Sequence, residues 1–214
     1  MELNNKKIGV FGLGKSGIAT YNFLAKNYDC KLICFDDNKN NIEQNKQLNI
    51  SSLDCETWKS LDYIIPSPGI SNKHFIFEIA REHNIKILSD IEIFIALNHE
   101  SKIIGITGTN GKSTITALTA YILKKAGYSY HAGGNIGRAV LTLPFKQPGY
   151  VIELSSFQLD LLKNCDLSIA ALSNITPDHL DRYGNLENYI RSKERILQND
   201  GVKIIGTRSS YSAD

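Results

Sequence analysis

A glycine-rich segment, GITGTNGKST at positions 105–114, constrains the fold of this chain more than any other feature. It begins at the end of an apolar stretch, Lys102–Ile106, which predicts a buried strand, and it leads into a helical pattern. Glycines let backbone N–H groups approach a phosphate closely, and the start of a helix favours negative charge. Strand, glycine loop and helix in this order predict an α/β fold with a phosphate-binding loop.

The loop differs in spacing from the usual G-x-x-x-x-G-K-[ST] pattern. The first glycine of that pattern would stand at position 106, which is Ile106, and Gly105 stands one residue earlier. Lys112 and Ser113 are nevertheless at the start of the helix, where the lysine would neutralise terminal phosphates and the hydroxyl would bind magnesium. A chance glycine-rich turn is the alternative, and it leaves the order of strand, loop and helix unexplained.

The composition of the whole chain narrows the class of protein. Its 214 residues, 42% of them hydrophobic, are enough for one large or two small domains. The formal net charge of +2 comes from nearly balanced acids and bases, without the basic runs of nucleic-acid-binding proteins. The first residues do not resemble a signal peptide and no apolar run approaches the length of a membrane span. We therefore expect a cytoplasmic protein whose partners are neither nucleic acid nor membrane.

The four cysteines, Cys30, Cys34, Cys55 and Cys165, are too few and too scattered for a disulfide framework. Cys30 precedes the apolar stretch KLICF and Cys34 lies within it. We therefore interpret both as small buried hydrophobic residues rather than as metal ligands.

Apolar segments alternate with helical patterns along the chain, which predicts parallel sheets with crossover helices in both halves. Expected strands lie at about 6–11, 31–35, 62–65 and 85–88 in the first half, and at about 102–106, 128–131, 150–152, 167–172 and 201–205 in the second. A polar hinge at 98–102 separates the halves. We expect a Rossmann-like domain at 1–98 and a P-loop α/β domain at 99–214.

The first half carries a second glycine-rich motif, GLGKSG at positions 12–17. It fits the dinucleotide-binding fingerprint, and Asp36 and Asp37 end the second strand at about the distance expected for a ribose contact. Alone, the motif would suggest an NAD-dependent enzyme. It specifies a pyrophosphate and a ribose rather than nicotinamide, however, and a nucleotide sugar carries both.

Polar residues follow two expected strands of the second half. Ligands of an open parallel sheet bind beyond the carboxyl ends of its strands. Glu153 ends an apolar strand there, and a magnesium ion shared with Ser113 would satisfy a carboxylate that is costly to bury alone. Alternatively, Glu153 could cap the next helix through Ser155 and Ser156. His179 lies on the same edge, where a structural role is as consistent with the sequence as a functional one.

Lys193 has an unusual position for a lysine. In the helical segment LENYIRSKERIL it lies within an apolar stripe formed by Leu186, Tyr189, Ile190, Ile196 and Leu197. Most helical lysines are solvated, whereas this one is expected to face inward. A buried ammonium needs a partner or a changed chemistry.

Four motifs, in this order and spacing, resemble those of the Mur ligases: TGTNGKST, GNIG, ELSSFQL and NITPDHLDRY, the last followed by the inward lysine. The similarity extends from about Ile8 to Lys193. GLGKSG and the SPGI loop (Ser67–Ile70) most resemble the branch of the family that adds D-glutamate. Each motif alone is weak evidence, but the combination is specific, and the glycine loop with one extra residue is typical of this family.

The resemblance implies ATP-dependent amide synthesis in peptidoglycan assembly. The alanyl carboxylate of UDP-N-acetylmuramoyl-L-alanine would take the γ-phosphoryl group of ATP, and the amine of D-glutamate would displace the resulting acyl phosphate. Magnesium and Lys112 would relieve the repulsion between the two anions. By similarity, Ser113 and Glu153 would hold one Mg2+ and His179 a second. Lys193, carbamylated by carbon dioxide, would help to organise that metal site.

The resemblance also implies two sets of binding residues. ATP would bind Gly108, Thr109, Asn110, Gly111, Lys112, Ser113 and Thr114. The UDP part of the other substrate would bind near Ser16, Asp36, Asp37, Ser67 and Gly69, and its sugar and alanine would face Asn135, Ser155 and Gln158.

Full-length Mur ligases continue through a larger central domain into a third domain that helps to bind ATP and the incoming amino acid. We therefore expect this sequence to hold an incomplete central domain, with the D-glutamate contacts outside it or on a separate polypeptide. Other functions stay open: a related ligase such as MurC, a non-catalytic UDP-sugar or ATP-binding module, and an NAD oxidoreductase, which leaves the second half unexplained. The GLGKSG half argues against folylpolyglutamate synthase, which lacks that domain.

Overall fold

The computed structural model describes residues 2–52, 55–163 and 165–206, and of Cys55 only the backbone. The chain forms two compact units, Met1–Ile93 and Phe94–Asp214. The final residues of the predicted polar tail, 207–214, lie outside the described part of the chain. Among the described residues, no helix combines the length and the apolar character needed to span a bilayer.

The first unit is a parallel sheet with helices between its strands. Its elements are β1 (Lys7–Phe11), α1 (Lys15–Asn27), β2 (Lys31–Phe35), α2 (Lys39–Gln44), α3 (Cys55–Lys59), β3 (Tyr63–Pro66), α4 (Phe75–Glu82), β4 (Lys86–Ile87) and α5 (Asp90–Leu97), the last extending into the second unit. The strand order is β2-β1-β3-β4 with every pairing parallel. The carboxyl ends of β1, β2 and β3 therefore share one edge of the sheet.

Large apolar side chains form the core of this unit. Phe11, Trp58, Ile64 and Ile76 are each at most 1% exposed and belong to one cluster that joins the sheet to α3 and α4. Burying a side chain of this size stabilises the fold by roughly 1.5–3 kcal/mol. This packing holds β1 and β3 in place, and with them the edge of the sheet at which both strands end.

The second unit has a parallel sheet with a different strand order. Its elements are β5 (Lys102–Thr107), α6 (Lys112–Lys125), β6 (Tyr130–Gly134), a 3-10 turn (Val140–Thr142), β7 (Gly149–Glu153), α7 (Ser156–Leu161), β8 (Ile169–Leu172), α8 (Leu180–Tyr183), α9 (Leu186–Glu194), a 3-10 turn (Arg195–Leu197) and β9 (Val202–Ile205). The strand order is β6-β7-β5-β8-β9. All pairings are parallel, so the predicted α/β class with parallel sheets in both halves is confirmed.

The structure differs from the sequence predictions in detail. The helix expected to run from Leu186 to Gln198 ends at Glu194 and continues as a 3-10 turn. The short helices α2 and α3 were not predicted, because segments of five or six residues carry too little periodicity to be recognised. Cys34 is fully buried as predicted, and burial raises the pKa of its thiol to about 11. Cys30 is only partly buried, since it lies before β2 rather than within it.

Candidate functional site

The glycine-rich loop joins β5 to α6 through two glycines that other residues could not replace easily. A Cβ at Gly108 would lie 2.0 Å from the Ser173 Oγ atom, because the loop packs directly against the segment that follows β8. Gly111 is the N-cap of α6 and has a φ of +77°, in the left-handed region that favours glycine. The backbone N–H groups at the start of α6 consequently point out of the carboxyl edge of the sheet.

Hydrogen bonds tie this loop to the segment after β8. The Asn110 N–H donates to Asn174 Oδ1 at 2.9 Å, and Asn174 Nδ2 donates to the Asn110 carbonyl at 2.8 Å. The Thr109 hydroxyl donates to the Thr176 carbonyl and accepts from the Thr176 N–H. Asn174 was missed as a site residue by the sequence analysis, although it begins the NITPDHLDRY motif, since only the folded chain shows that it holds the loop.

Glu153, at the end of β7, is the central carboxylate of this edge. It is 1% exposed, and its two oxygens accept from different elements: Ser113 Oγ donates to Oε2 at 2.7 Å and Asn135 Nδ2 donates to Oε1 at 2.8 Å. The parallel register of β6, β7 and β5 brings these three residues together. Glu153 does not cap α7, because Ser155 occupies the N-cap position and forms a capping box with Gln158.

The donor set around Glu153 fits magnesium. A carboxylate oxygen and a hydroxyl oxygen, Glu153 and Ser113, lie within hydrogen-bond distance of each other. Magnesium prefers oxygen ligands and is usually bound by one or two carboxylates together with substrate phosphates and water. Within the described residues, no group of three or more His, Cys, Asp or Glu side chains could hold a metal ion. Ser113 and Glu153 alone would not complete the coordination of magnesium, so further ligands such as phosphate and water would be needed.

Two lysines approach the glycine loop from different elements. Lys112 Nζ, at the start of α6, donates to the Thr109 carbonyl at 2.8 Å. Lys193 on α9 faces inward as predicted: it is 1% exposed, and its Nζ donates to the Gly108 carbonyl at 2.7 Å. Burial lowers the pKa of the Lys193 amine to about 7, and the nearby positive charge of Lys112 lowers it too, against the opposing effect of neighbouring carboxylates such as Asp178.

His179 lies beyond β8, on the edge where β5 and β7 also end. It has a φ of +52° and is the N-cap of α8. Its ring centroid lies 4.9 Å from that of Phe157 and 6.2 Å from that of Tyr189, whose hydroxyl is 3.2 Å from the Thr109 hydroxyl of the loop. The half-exposed imidazole has Nε2 3.7 Å from Asp178 Oδ2.

Ser155 and Gln158 stabilise the start of α7. The Ser155 Oγ accepts from the Gln158 N–H at 3.2 Å, and Gln158 Oε1 accepts from the Ser155 N–H at 3.0 Å. Gln158 is 3% exposed. The polar atoms named here thus have a structural task, while Asn135 is engaged with Glu153.

In the first unit, the predicted residues also follow the strand ends, but their environments differ. Asp36 is buried, and its carboxylate accepts from the Leu13 N–H at 2.5 Å, the Asn38 N–H at 2.7 Å and the Asn41 side chain at 2.9 Å. It therefore fastens the GLG turn to the end of β2. Asp37, in contrast, has a half-exposed side chain, and its Oδ2 lies 3.0 Å from His74 Nε2.

The SPGI loop packs against the first glycine turn. The Ser67 N–H donates to the Phe11 carbonyl and Ser67 Oγ donates to the Gly12 carbonyl at 2.8 Å. A Cβ at Gly17 would lie 1.8 Å from the Gly12 carbonyl oxygen, which explains the glycine at that position. Ser16 is partly buried in the first turn of α1, and Gly69 is exposed.

Two residues of this edge were missed by the sequence analysis. His74 lies in a loop whose pattern gave no sign that its ring would reach Asp37. Asp90 follows the short strand β4, is 5% exposed and lines a small cleft together with Thr20 and Ser67. Burial raises the pKa of the Asp90 carboxyl to about 6. The strand before it was predicted at about 85–88, but nothing in the local pattern showed that the Asp90 side chain would be buried beside Thr20 and Ser67.

Two family models match the sequence of this chain. Residues 106–213 match the family model described as the Mur ligase middle domain. Residues 6–89 match the model described as the MurD-like N-terminal domain of Mur ligases.

Curated relatives carry the name UDP-N-acetylmuramoylalanine--D-glutamate ligase. The protein of Rickettsia prowazekii is 45% identical over 213 residues, covering 96% of this chain and 47% of the relative. The protein of Wolbachia pipientis wMel is 42% identical over 223 residues, covering 100% of this chain and 44% of the relative. The chain thus spans about half the length of the curated relatives that it matches.

Solved structures resemble the fold at lower identity. The UDP-N-acetylmuramate:L-alanyl-gamma-D-glutamyl-meso-diaminopimelate ligase of Neisseria meningitides has a TM-score of 0.58 and 18% identity, over 96% of this chain and 72% of that chain. MurC of Thermotoga maritima has a TM-score of 0.54 and 22% identity, over 96% of this chain and 50% of that chain. Since the middle-domain model alone matches half of its residues, the chain belongs to the Mur ligase family.

Proposed function

We propose that this chain carries the UDP-substrate and ATP sites of a ligase that adds D-glutamate to UDP-N-acetylmuramoyl-L-alanine, as the names of its relatives suggest. The observation that carries the proposal is the buried Glu153 carboxylate, which accepts a 2.7 Å hydrogen bond from Ser113 at the start of the phosphate-loop helix. A chain whose loop only turned a strand into a helix would have no need of a buried carboxylate there.

In the proposed reaction, the alanyl carboxylate attacks the γ-phosphorus of ATP and forms an acyl phosphate with release of ADP. The D-glutamate amine then attacks the acyl carbon and expels phosphate. The loop N–H groups and Lys112 would hold the terminal phosphates, and Asn135 would keep Glu153 oriented through its bond to Oε1. Magnesium, held by Ser113 and Glu153, would supply charge neutralisation between the phosphates and the carboxylate.

We further propose that Lys193 is carbamylated and that His179 takes part in the same site. Addition of the neutral Lys193 amine to carbon dioxide forms a carbamate and releases a proton, which replaces a cation by an anion. The buried position of Lys193 and its pKa of about 7 support this step, because a large fraction of the amine is neutral near pH 7. The anion would help to hold a second metal ion beside His179.

The UDP part of the substrate is proposed to bind at the strand ends of the first unit, near Ser16, Asp37 and the Ser67–Gly69 loop. Support comes from the tight glycine turn at Gly12–Gly17, which leads directly into the start of α1. The N-terminus of a helix favours negative charge, so a pyrophosphate would bind there. Asp36 would contribute indirectly, by holding this turn to the end of β2. Asn135, Ser155 and Gln158 would face the sugar and alanine.

Calorimetric titration of the 214-residue chain tests the proposal. We expect binding of UDP-N-acetylmuramoyl-L-alanine, weaker binding of UDP-N-acetylmuramic acid and no binding of NAD, together with magnesium-dependent binding of ATP. A folded chain that bound NAD, or that bound neither UDP-sugar nor ATP, would contradict it.

A further inference from the structure

His74 and Asp37 form a defined pair at the nucleotide edge of the first unit. His74 Nε2 lies 3.0 Å from Asp37 Oδ2, with the histidine side chain 18% exposed and the aspartate side chain 53% exposed. The His74 ring packs against two aromatic rings, 4.7 Å from Phe11 and 4.4 Å from Phe75, measured between centroids. The histidine is therefore held in place, while the carboxylate it contacts faces solvent.

The hydrogen bond that the His74 ring accepts indicates which ring nitrogen carries the proton. Nδ1 accepts from the Ile76 N–H at 3.2 Å, because His74 is the N-cap of α4. In the neutral imidazole the proton is therefore on Nε2, the nitrogen that lies 3.0 Å from Asp37 Oδ2. The Ile76 N–H thus determines that the protonated nitrogen of His74 is the one facing Asp37.

Asp37 is the carboxylate of this strand end that is available to a ligand. Asp36 already accepts three hydrogen bonds from its own loop and from the GLG turn. Among the described residues, the polar contact of the Asp37 carboxylate is that of Oδ2 with His74 Nε2, so Oδ1 is open. In Rossmann-like sheets, a carboxylate at the end of the second strand binds ribose hydroxyls.

We propose that His74 is a positioning residue for substrate binding. It holds Asp37 through Oδ2, so that Oδ1 accepts a hydrogen bond from the nucleoside of the UDP-linked substrate, either from a ribose hydroxyl or from the N–H of the base. The inference rests on the proposed function and extends it to a residue outside the nucleotide-binding motifs.

Calorimetric titration of the full 214-residue chain with UDP and with UDP-N-acetylmuramoyl-L-alanine tests the pair. Asp37→Ala should weaken binding by about tenfold or more, since a hydrogen bond to a charged group is lost. His74→Asn keeps an N-cap acceptor for Ile76 but cannot reach Asp37, so we expect binding about three- to tenfold weaker with the helix intact. The double variant should bind no more weakly than Asp37→Ala alone, since the histidine acts through the aspartate.

The matched control is His83→Asn, which changes an exposed histidine at the other end of α4 and should leave binding unchanged. Titration of wild type and Asp37→Ala with UDP and with 2′-deoxy-UDP separates the two donors. If wild type binds 2′-deoxy-UDP more weakly than UDP but Asp37→Ala binds both equally, the contact is to the ribose. If Asp37→Ala weakens the binding of both ligands by the same factor, the contact is to the base. Wild-type affinity in His74→Asn, or losses that multiply in the double variant, would overturn the inference while leaving the proposed function intact. Failure of the wild-type chain to bind any uridine nucleotide would contradict the proposed function itself and the inference with it.

Discussion

Adjacent aspartates at the end of β2 have opposite environments. Asp36 is buried among backbone N–H groups of its own edge, whereas Asp37 is half-exposed beside His74. A carboxylate that accepts three hydrogen bonds has little capacity left for a ligand. The same residue type is therefore engaged by its own loop at one position and half-exposed beside a histidine at the next.

Lys112 provides the first prediction at this scale. Lys112→Ala should reduce the affinity for ATP by roughly tenfold to hundredfold, because charge-assisted hydrogen bonds to the phosphates are lost. Binding of UDP-N-acetylmuramoyl-L-alanine should change little. Titration calorimetry with each ligand measures both effects, and Lys124→Ala, at the exposed end of α6, is the matched control. An equal loss of both affinities would contradict the assignment of two separate sites.

Asp90 gives a prediction about pH. Its folded-state pKa of about 6 lies above the ordinary value of 3.8, so folding favours the protonated form. The protonated Asp90 carboxyl contributes its full stabilisation of the folded state below about pH 4, and this contribution is lost as the pH rises through about 6. The resulting decrease in the free energy of unfolding is roughly 3 kcal/mol. Asp90→Asn retains an acceptor for the Ile91 N–H and removes the buried charge.

Denaturant unfolding of wild type and Asp90→Asn between pH 4 and pH 8 measures this effect. The variant should be the more stable protein at pH 7, and the difference in free energy of unfolding should shrink towards zero near pH 4. A difference that does not depend on pH would show that the buried carboxyl is not the cause.

At the scale of elements, two helices of the second unit, α6 and α7, begin in different ways beside the carboxyl edge of the sheet. Helix α6 begins at a glycine with positive φ, while α7 begins with a capping box formed by Ser155 and Gln158. At the start of α6 the backbone N–H groups have no side-chain cap and could bind a phosphate. At the start of α7 the capping box satisfies such groups within the chain. The N-terminus of α6 therefore lacks a side-chain cap, whereas that of α7 has one.

Removal of the capping box should destabilise the chain without affecting the nucleotide loop. Ser155→Ala is expected to lower the free energy of unfolding by about 1 kcal/mol, since the N-cap acceptor is lost. Ser129→Ala, in the exposed segment between α6 and β6, is the control. Denaturant unfolding measures the loss, and an unchanged midpoint in Ser155→Ala would show that the box contributes no stability.

At the scale of the whole molecule, two compact units each present a glycine-rich loop at the carboxyl edge of a parallel sheet. UDP and ATP should therefore protect different segments. Hydrogen exchange should slow at the turn after β1 and the SPGI loop on addition of UDP, and at residues 108–114 on addition of ATP with magnesium. Protection of both sets by either nucleotide alone would contradict separate sites.

The sequence by itself determined the order of the strands and of the longer helices, the two glycine loops and the inward face of Lys193. These are local properties, because the side-chain periods of strands and helices and the conformational freedom of glycine follow from neighbouring residues. Only the tertiary structure decided that Glu153 meets both Ser113 and Asn135, that Asn174 holds the loop and that Asp36 is used internally while Asp37 pairs with His74. These contacts join distant segments, so they depend on the order of the strands in each sheet, which is a property of the whole unit rather than of any local segment.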